Sequence, residues 1–99
     1  MNILIVDDDP QIQRLMTDVL EAQSYIVEAV GSVREALAYR GRPDLLILDR
    51  VLPNGDGKRV AKHFAGTPTL YVSGYEEADL RKPFSMRDLT AAVVQRIGK

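Results

Sequence analysis

Hydrophobic positions along this chain repeat with two periods in alternation. Ile3-Leu4-Ile5-Val6 is an unbroken, largely β-branched run, as expected of a strand covered on both faces of a parallel sheet. It gives way to Ile12, Leu15, Met16, Val19 and Leu20, spaced so that all five share one face of a helix. Asp9 before Pro10 suits an N-cap with proline at the first helical position. The alternation then repeats. Residues 25–30 read as a second strand, and Ser32 with Glu35 forms a capping box opening a second helix to about Arg40. Residues 45–48 read as a third buried strand ending on Asp49.

Pro53, Asn54, Gly55 and Gly57 form a loop by turn chemistry. Val60, Ala61 and Phe64 line a short third helix, with Lys58, Arg59, Lys62 and His63 left to solvent. Residues 69–72 read as a fourth strand ending on Ser73, and a fifth fits only around 78–82. Ser85 and Asp88 cap a last helix whose apolar face is Met86, Leu89, Val93 and Ile97. The stripes on the first and last helices are expected to be core faces. Strands alternating with helices imply βαβ units around a parallel sheet, hence a single α/β domain over residues 1–99.

Composition narrows the class. Ninety-nine residues, 45% hydrophobic and 27% charged, suit one globular core and no second one. The absence of cysteine excludes disulfides, thiolate metal sites and cysteine nucleophiles. Thirteen basic against 14 acidic residues give a net charge of −1, without the basic footprint of a nucleic-acid binder. No apolar run nears the roughly 20 residues of a membrane span, and the first run ends in aspartates, unlike a signal peptide. A cytoplasmic domain with no membrane and no direct nucleic-acid contact is expected.

The chemistry lies where polar residues meet strand ends. Asp7 and Asp8 follow the first strand, Asp49 the third, Ser73 ends the fourth and Lys82 the fifth. In open α/β sheets ligands bind outside the carboxyl ends of the strands. Three carboxylates at one rim repel one another unless a cation joins them. A hard divalent ion such as Mg²⁺ suits oxygen ligands and phosphate oxygens, and no cysteine or nearby histidine favours zinc. Lys82 and Ser73 add a point charge and a neutral donor for a phosphoryl group, toward which aspartate is a known nucleophile.

These residues carry a resemblance. Ile5-Val6-Asp7-Asp8-Asp9, then Asp49-x-x-x-Pro53-x-x-x-Gly57, Ser73-Gly74 and Lys82-Pro83-Phe84, in that order at strand ends, are similar to the motifs of response-regulator receiver domains, from residue 1 to about 97. The resemblance implies a flavodoxin-like, doubly wound, five-stranded parallel sheet of order 2-1-3-4-5. It implies Asp49 as phosphoacceptor, Asp8 as a direct metal ligand, Asp7 as a companion acid acting mostly through water, and the backbone carbonyl of Val51 as a further ligand to Mg²⁺. Ser73 matches the hydroxyl that moves onto the phosphoryl oxygens and Lys82 the residue that pairs with them. A cis Lys82–Pro83 bond is implied, as are a histidine kinase or histidine phosphotransfer protein as donor and a downstream protein of unknown identity. The resemblance further implies a module that assists its own phosphorylation and dephosphorylation rather than an enzyme that turns over a substrate.

Two departures stand out against that family. Only eight residues separate Ser73 from Lys82, so the fourth helix is expected to be missing or vestigial. The family's switch aromatic, three positions before the lysine, is Asp79 here, and Tyr75 is the candidate to replace it. Asp9 is read as a helix cap, Asp56 as a turn residue, His63 as solvated, and Arg50 as either approaching a phosphoryl group or pointing outward. The exposed edge of the first helix is a candidate surface for the kinase. With no output domain after Lys99, a stand-alone receiver or a piece of a larger chain is expected. Two other functions compete: a receiver fold that docks partners without phosphorylation, and a Mg²⁺-dependent phosphatase. The phosphatase ranks last, because Val51 stands where its second acid belongs and the chain is too short for a cap.

Overall fold

The structure, a computed structural model, describes residues 1–52, 55–74 and 78–97. Along the chain run β1 (Asn2–Val6), α1 (Pro10–Glu21), β2 (Ile26–Val30), α2 (Val33–Ala38), β3 (Leu45–Asp49), β4 (Val51–Leu52), β5 (Gly55–Asp56), α3 (Gly57–His63), β6 (Thr69–Ser73), β7 (Leu80–Arg81) and α4 (Met86–Ile97). Five of the strands form one parallel sheet, ordered β2-β1-β3-β6-β7. Counted among themselves these five have the order 2-1-3-4-5, the doubly wound arrangement expected.

The unbroken apolar runs are explained by what covers the sheet. Side chains alternate faces along a strand. Ile3, Ile5, Leu45, Ile47, Leu70 and Val72 accordingly pack with Met16 and Leu20 of α1 and Leu89 and Val93 of α4. Leu4, Val6, Leu46 and Leu48 pack on the opposite face with Val33 and Ala36 of α2, Val60 of α3, and Phe64. Each fully buried aliphatic side chain contributes about 1.5–3 kcal/mol relative to exposure, so β1 and β3, apolar on both faces, anchor the sheet.

Helix starts follow their caps. The Asp9 carboxylate accepts from the Gln11 N–H at 2.9 Å. Ser85 and Asp88 cap α4 reciprocally: the Asp88 N–H donates to Ser85 Oγ at 3.0 Å and the Ser85 N–H to the Asp88 carboxylate at 3.3 Å. At α2, Ser32 Oγ accepts from the Glu35 N–H, but the Glu35 carboxylate reaches the Gly31 N–H, one residue before the cap.

The structure corrects several expectations. α2 ends at Ala38, short of Arg40. The fifth strand of the sheet is two residues long rather than spanning 78–82. The loop after Asp49 contains a two-residue antiparallel pairing, β4 with β5; Pro53 and Asn54 lie outside the described residues. Among the described residues no helix lies between β6 and β7, consistent with a missing fourth helix, and Tyr75 lies outside them. Leu15 and Met86 are not core residues. They are exposed, with Val94, along an apolar groove between α1 and α4, because two helices packed side by side on a sheet splay their outer flanks to solvent.

Candidate functional site

Sheet register brings the polar strand ends to one rim. Val6 of β1 stands opposite Val30 and Leu48, and Asp49 of β3 opposite Val72 of β6. Backbone bonds continue the ladder past each strand: Asp7 N–H to the Val30 carbonyl at 3.1 Å, Arg50 N–H to Val72 at 3.1 Å and Lys82 N–H to Ser73 at 2.7 Å. Asp7, Asp49, Ser73 and Lys82 therefore occupy neighbouring positions at the carboxyl edge. Asp7, Asp49 and Ser73 are buried, while Asp8 is exposed.

Lys82 ties the acids together. Its Nζ donates to Asp7 Oδ2 at 2.9 Å and lies 3.3 Å from Asp49 Oδ2. The other Asp7 oxygen accepts the Asp9 N–H at 2.9 Å. Both oxygens of Asp7 thus have protein donors, whereas Asp8, beside it, faces solvent. Burial pushes the Asp7 carboxyl above its ordinary pKa, outweighing the Asp9 N–H and the charge of Lys82, and Asp49 adds to the rise. Burial alone would weaken the Lys82 ammonium, yet its bond to Asp7 and the charges of Asp7 and Asp49 hold its pKa above the ordinary value.

One carboxylate oxygen from each of Asp7, Asp8 and Asp49 lies within 4.8 Å of the others. Three carboxylates and one ammonium leave a local charge of about −2, which a divalent cation would balance. The donor set is all oxygen, as Mg²⁺ prefers, and the buried Asp7 carboxylate gains from a neighbouring cation what burial takes away. The residues present fit the ion.

Val51 begins β4, two residues after Asp49, and β4 pairs back on Gly55 and Asp56. Gly57 explains why the motif ends in glycine: a Cβ there would stand 3.3 Å from the Asp49 carbonyl oxygen, closer than side chains ordinarily pack. The Lys82–Pro83 bond is cis. His63 is exposed, its ring edge-on to Phe64 at 4.8 Å between centroids, far in sequence from the acids. Arg50 is exposed.

Two residues support the site in ways the sequence pattern does not assign. Gln13, in the second turn of α1, donates from Nε2 to the Asp7 carbonyl and pins the loop after β1. Asp79 accepts the Tyr71 N–H at 2.9 Å and pairs with Arg96 of α4 at 3.0 Å. Gln13 beside the apolar stripe of α1 was the available hint for the first; Asp79 becomes legible only once the length of β7 is known.

A doubly wound parallel sheet presenting clustered aspartates and a lysine at its carboxyl rim has a donor set suited to a hard cation, at the edge where such sheets bind ligands. A family model of the response regulator receiver domain matches residues 3–82. TrcR of Mycobacterium tuberculosis, a transcriptional regulatory protein, is 32% identical over 110 aligned positions, which take in 92% of this chain and 43% of TrcR. RpaA of Synechocystis, a DNA-binding transcriptional regulator, is 36% identical over 92% of this chain and 46% of RpaA. The chain spans about half the length of the curated relatives it matches. Among solved structures, chemotaxis protein CheY4 of Vibrio cholerae superposes with a TM-score of 0.86 at 26% identity, over 96% of this chain and 97% of CheY4. The receiver domain of the hybrid histidine kinase CckA gives 0.82 at 29% identity, over 98% and 99%.

The chain belongs to the response regulator receiver domains. It is a receiver domain of the two-component signalling type.

Proposed function

We propose that Asp49 accepts a phosphoryl group from a phosphohistidine of a histidine kinase or histidine phosphotransfer protein, and that Asp7, Asp8, Asp49 and the Val51 carbonyl hold Mg²⁺ for that step. The observation that carries the reading is the buried Asp49 at the end of β3, 3.3 Å from the Lys82 ammonium and clustered with two further aspartates.

An Asp49 carboxylate oxygen attacks phosphorus in line, the phosphorus–nitrogen bond breaks, and the imidazole leaves. Lys82 exchanges its contact with Asp49 for one with the incoming phosphoryl oxygens while Asp7 keeps hold of the ammonium. The Ser73 hydroxyl donates to the phosphoryl group from the end of β6. Bound Mg²⁺ supplies neutralisation of charge on the transferring oxygens. The product adds about −1.5 to −2 charges at the rim, by analogy with other phosphorylated side chains, and closure of Ser73 and Lys82 onto it shifts the adjoining loops between two states.

The exposed Leu15, Met86 and Val94 along α1 and α4 support that flank as the seat of the histidine-bearing partner. The DNA-binding named for RpaA belongs to a protein about twice as long. The net charge of −1 favours a protein rather than nucleic acid as the direct downstream partner of this domain. Among the described residues no helix is long and apolar enough to cross a membrane, which suits a cytoplasmic partner of a kinase. We read residues 1–99 as one receiver domain.

Incubation with acetyl phosphate and Mg²⁺ tests the assignment. One phosphoryl adduct by intact mass, lost with chelator and absent from Asp49→Ala, is expected. No adduct from acetyl phosphate or from a cognate kinase would leave phosphorylation-independent docking as the function. Rapid multiple turnover of phosphate esters would return the phosphatase.

A further inference from the structure

We infer that Asp79 is a positioning residue for Lys82, acting as a side-chain extension of the two-residue strand β7 and held in place by Arg96 of α4; this rests on the phosphoacceptor reading above.

The sheet ladder shows the need. β7 contains only Leu80 and Arg81, paired with Val72 and Ser73, and Lys82 N–H bonds the Ser73 carbonyl at 2.7 Å. In a parallel pair the bonds recur at every second residue. Continued toward the start of β6, this ladder would meet the Tyr71 N–H with the carbonyl of residue 78. The strand stops first, and the Tyr71 N–H instead donates to Asp79 Oδ2 at 2.9 Å. The carboxylate thus replaces the missing rung, as a charge-assisted bond stronger than a neutral one.

The same carboxylate is fixed from its other side. Asp79 Oδ1 pairs with Arg96 Nη2 at 3.0 Å. That pair is partly exposed and contributes little to stability by itself, but it sets the carboxylate's orientation and connects β7 to the last two turns of α4. Asp79 precedes Lys82 by three residues, so the stretch between is clamped by Asp79 on the Tyr71 N–H and by Lys82 on Ser73. Without the first clamp, β7 frays from its start and the Lys82 backbone loses its register against Ser73. The acid three positions before Lys82 thus caps the start of β7, a use that fits a strand of only two residues.

Amide hydrogen exchange and phosphorylation kinetics on Asp79→Ala, Asp79→Asn and Arg96→Met test this. In Asp79→Ala, exchange at Tyr71 and Lys82 should rise about tenfold or more relative to Ile47 in mid-sheet, as for local opening rather than global unfolding. Its Mg²⁺-dependent phosphorylation by acetyl phosphate should slow about tenfold, the scale of a sub-ångström misplacement of a reacting group. Asp79→Asn retains an acceptor oxygen for Tyr71 and should restore both readouts to within about threefold of wild type, with Arg96→Met between. Unchanged exchange at Lys82 in Asp79→Ala, an equal rise at Ile47, a wild-type phosphorylation rate, or an asparagine variant as impaired as the alanine one would each overturn the inference. A wild-type protein that takes no phosphoryl group would instead retire the phosphoacceptor reading, and the exchange contrast would still decide whether Asp79 holds Lys82 in register.

Discussion

Lys82→Met keeps the aliphatic stem and deletes the ammonium that stands 2.9 Å from Asp7 and 3.3 Å from Asp49. At an effective dielectric of about 20 each contact amounts to roughly 5–6 kcal/mol of attraction, most of which is offset by dehydrating the charges. Removing one partner of a fully buried pair costs about 3–5 kcal/mol. Lys82 keeps 25% of its side-chain surface in water while the carboxylates keep 1% and 7%, so we take about 2 kcal/mol as the net loss after solvent screening. In a domain of this size that lowers Tm by roughly 8–16 °C in magnesium-free buffer at neutral pH.

Two signs accompany that loss. Lys82 is among the groups that lower the Asp7 pKa, so in the variant Asp7 titrates still higher. A carboxyl with a raised folded-state pKa adds stability that is present below the unfolded value and lost as pH rises through the folded one. The deficit of Lys82→Met should therefore narrow as pH falls from neutrality toward the carboxylate range. A divalent cation also takes over the role of the missing ammonium, so Mg²⁺ should raise Tm more in the variant than in wild type. Thermal unfolding followed by circular dichroism, with and without Mg²⁺ at neutral and mildly acidic pH, reads all three. Equal Tm values in magnesium-free buffer, or a smaller magnesium response in the variant, would refute the reasoning.

Mg²⁺ at ten times its Kd should stabilise wild type by about 1.4 kcal/mol, and a tenfold loss of affinity in Asp8→Asn should cut that to about 0.4 kcal/mol at the same concentration; because Asp8 is exposed, metal-free stability should move by less than about 0.5 kcal/mol. Asp7→Asn should flatten the pH dependence of metal-free stability between the ordinary aspartate value of 3.8 and neutrality, since the raised Asp7 pKa makes wild type lose stability as pH rises through it; parallel wild-type and variant profiles in urea titrations would contradict this. Gly57→Ala should cost about 1 kcal/mol and slow phosphorylation, because its Cβ would press on the Asp49 carbonyl oxygen at 3.3 Å; a variant as stable and as reactive as wild type would show that the loop gives way.

Much of this was legible in the sequence because strand ends are punctuated. Val6 to Asp7, Leu48 to Asp49 and Val72 to Ser73 each mark the point where a doubly covered strand leaves the core, and such points share one rim in a parallel sheet. Helix caps were equally local, and Asp9 and Ser85 act as their side chains dictate. Periodicity failed where packing, not pattern, decides exposure. Leu15 and Met86 carry the helical spacing of core residues yet flank the seam between two helices. The extent of β7 was unreadable for a different reason. Its pairing is completed by an Asp79 side chain, and no propensity describes a carboxylate standing in for a strand residue.

The sheet's two margins differ in kind. β7 offers only two residues, whereas β2 is five residues long, pairs among the described residues with β1 on one side, and carries the exposed Ile26. Its outer row of backbone groups is therefore the longer template of the two margins, among the described residues, for a second chain. Glu28, at mid-strand and exposed, is placed to keep that template from being used, since stacking copies edge to edge would bring like charges together. Replacing it with valine would leave Ile-Val-Val-Ala-Val along the margin, a sequence suited to intermolecular strand pairing, and the resistance of the native domain to aggregation would then rest on its folding stability alone.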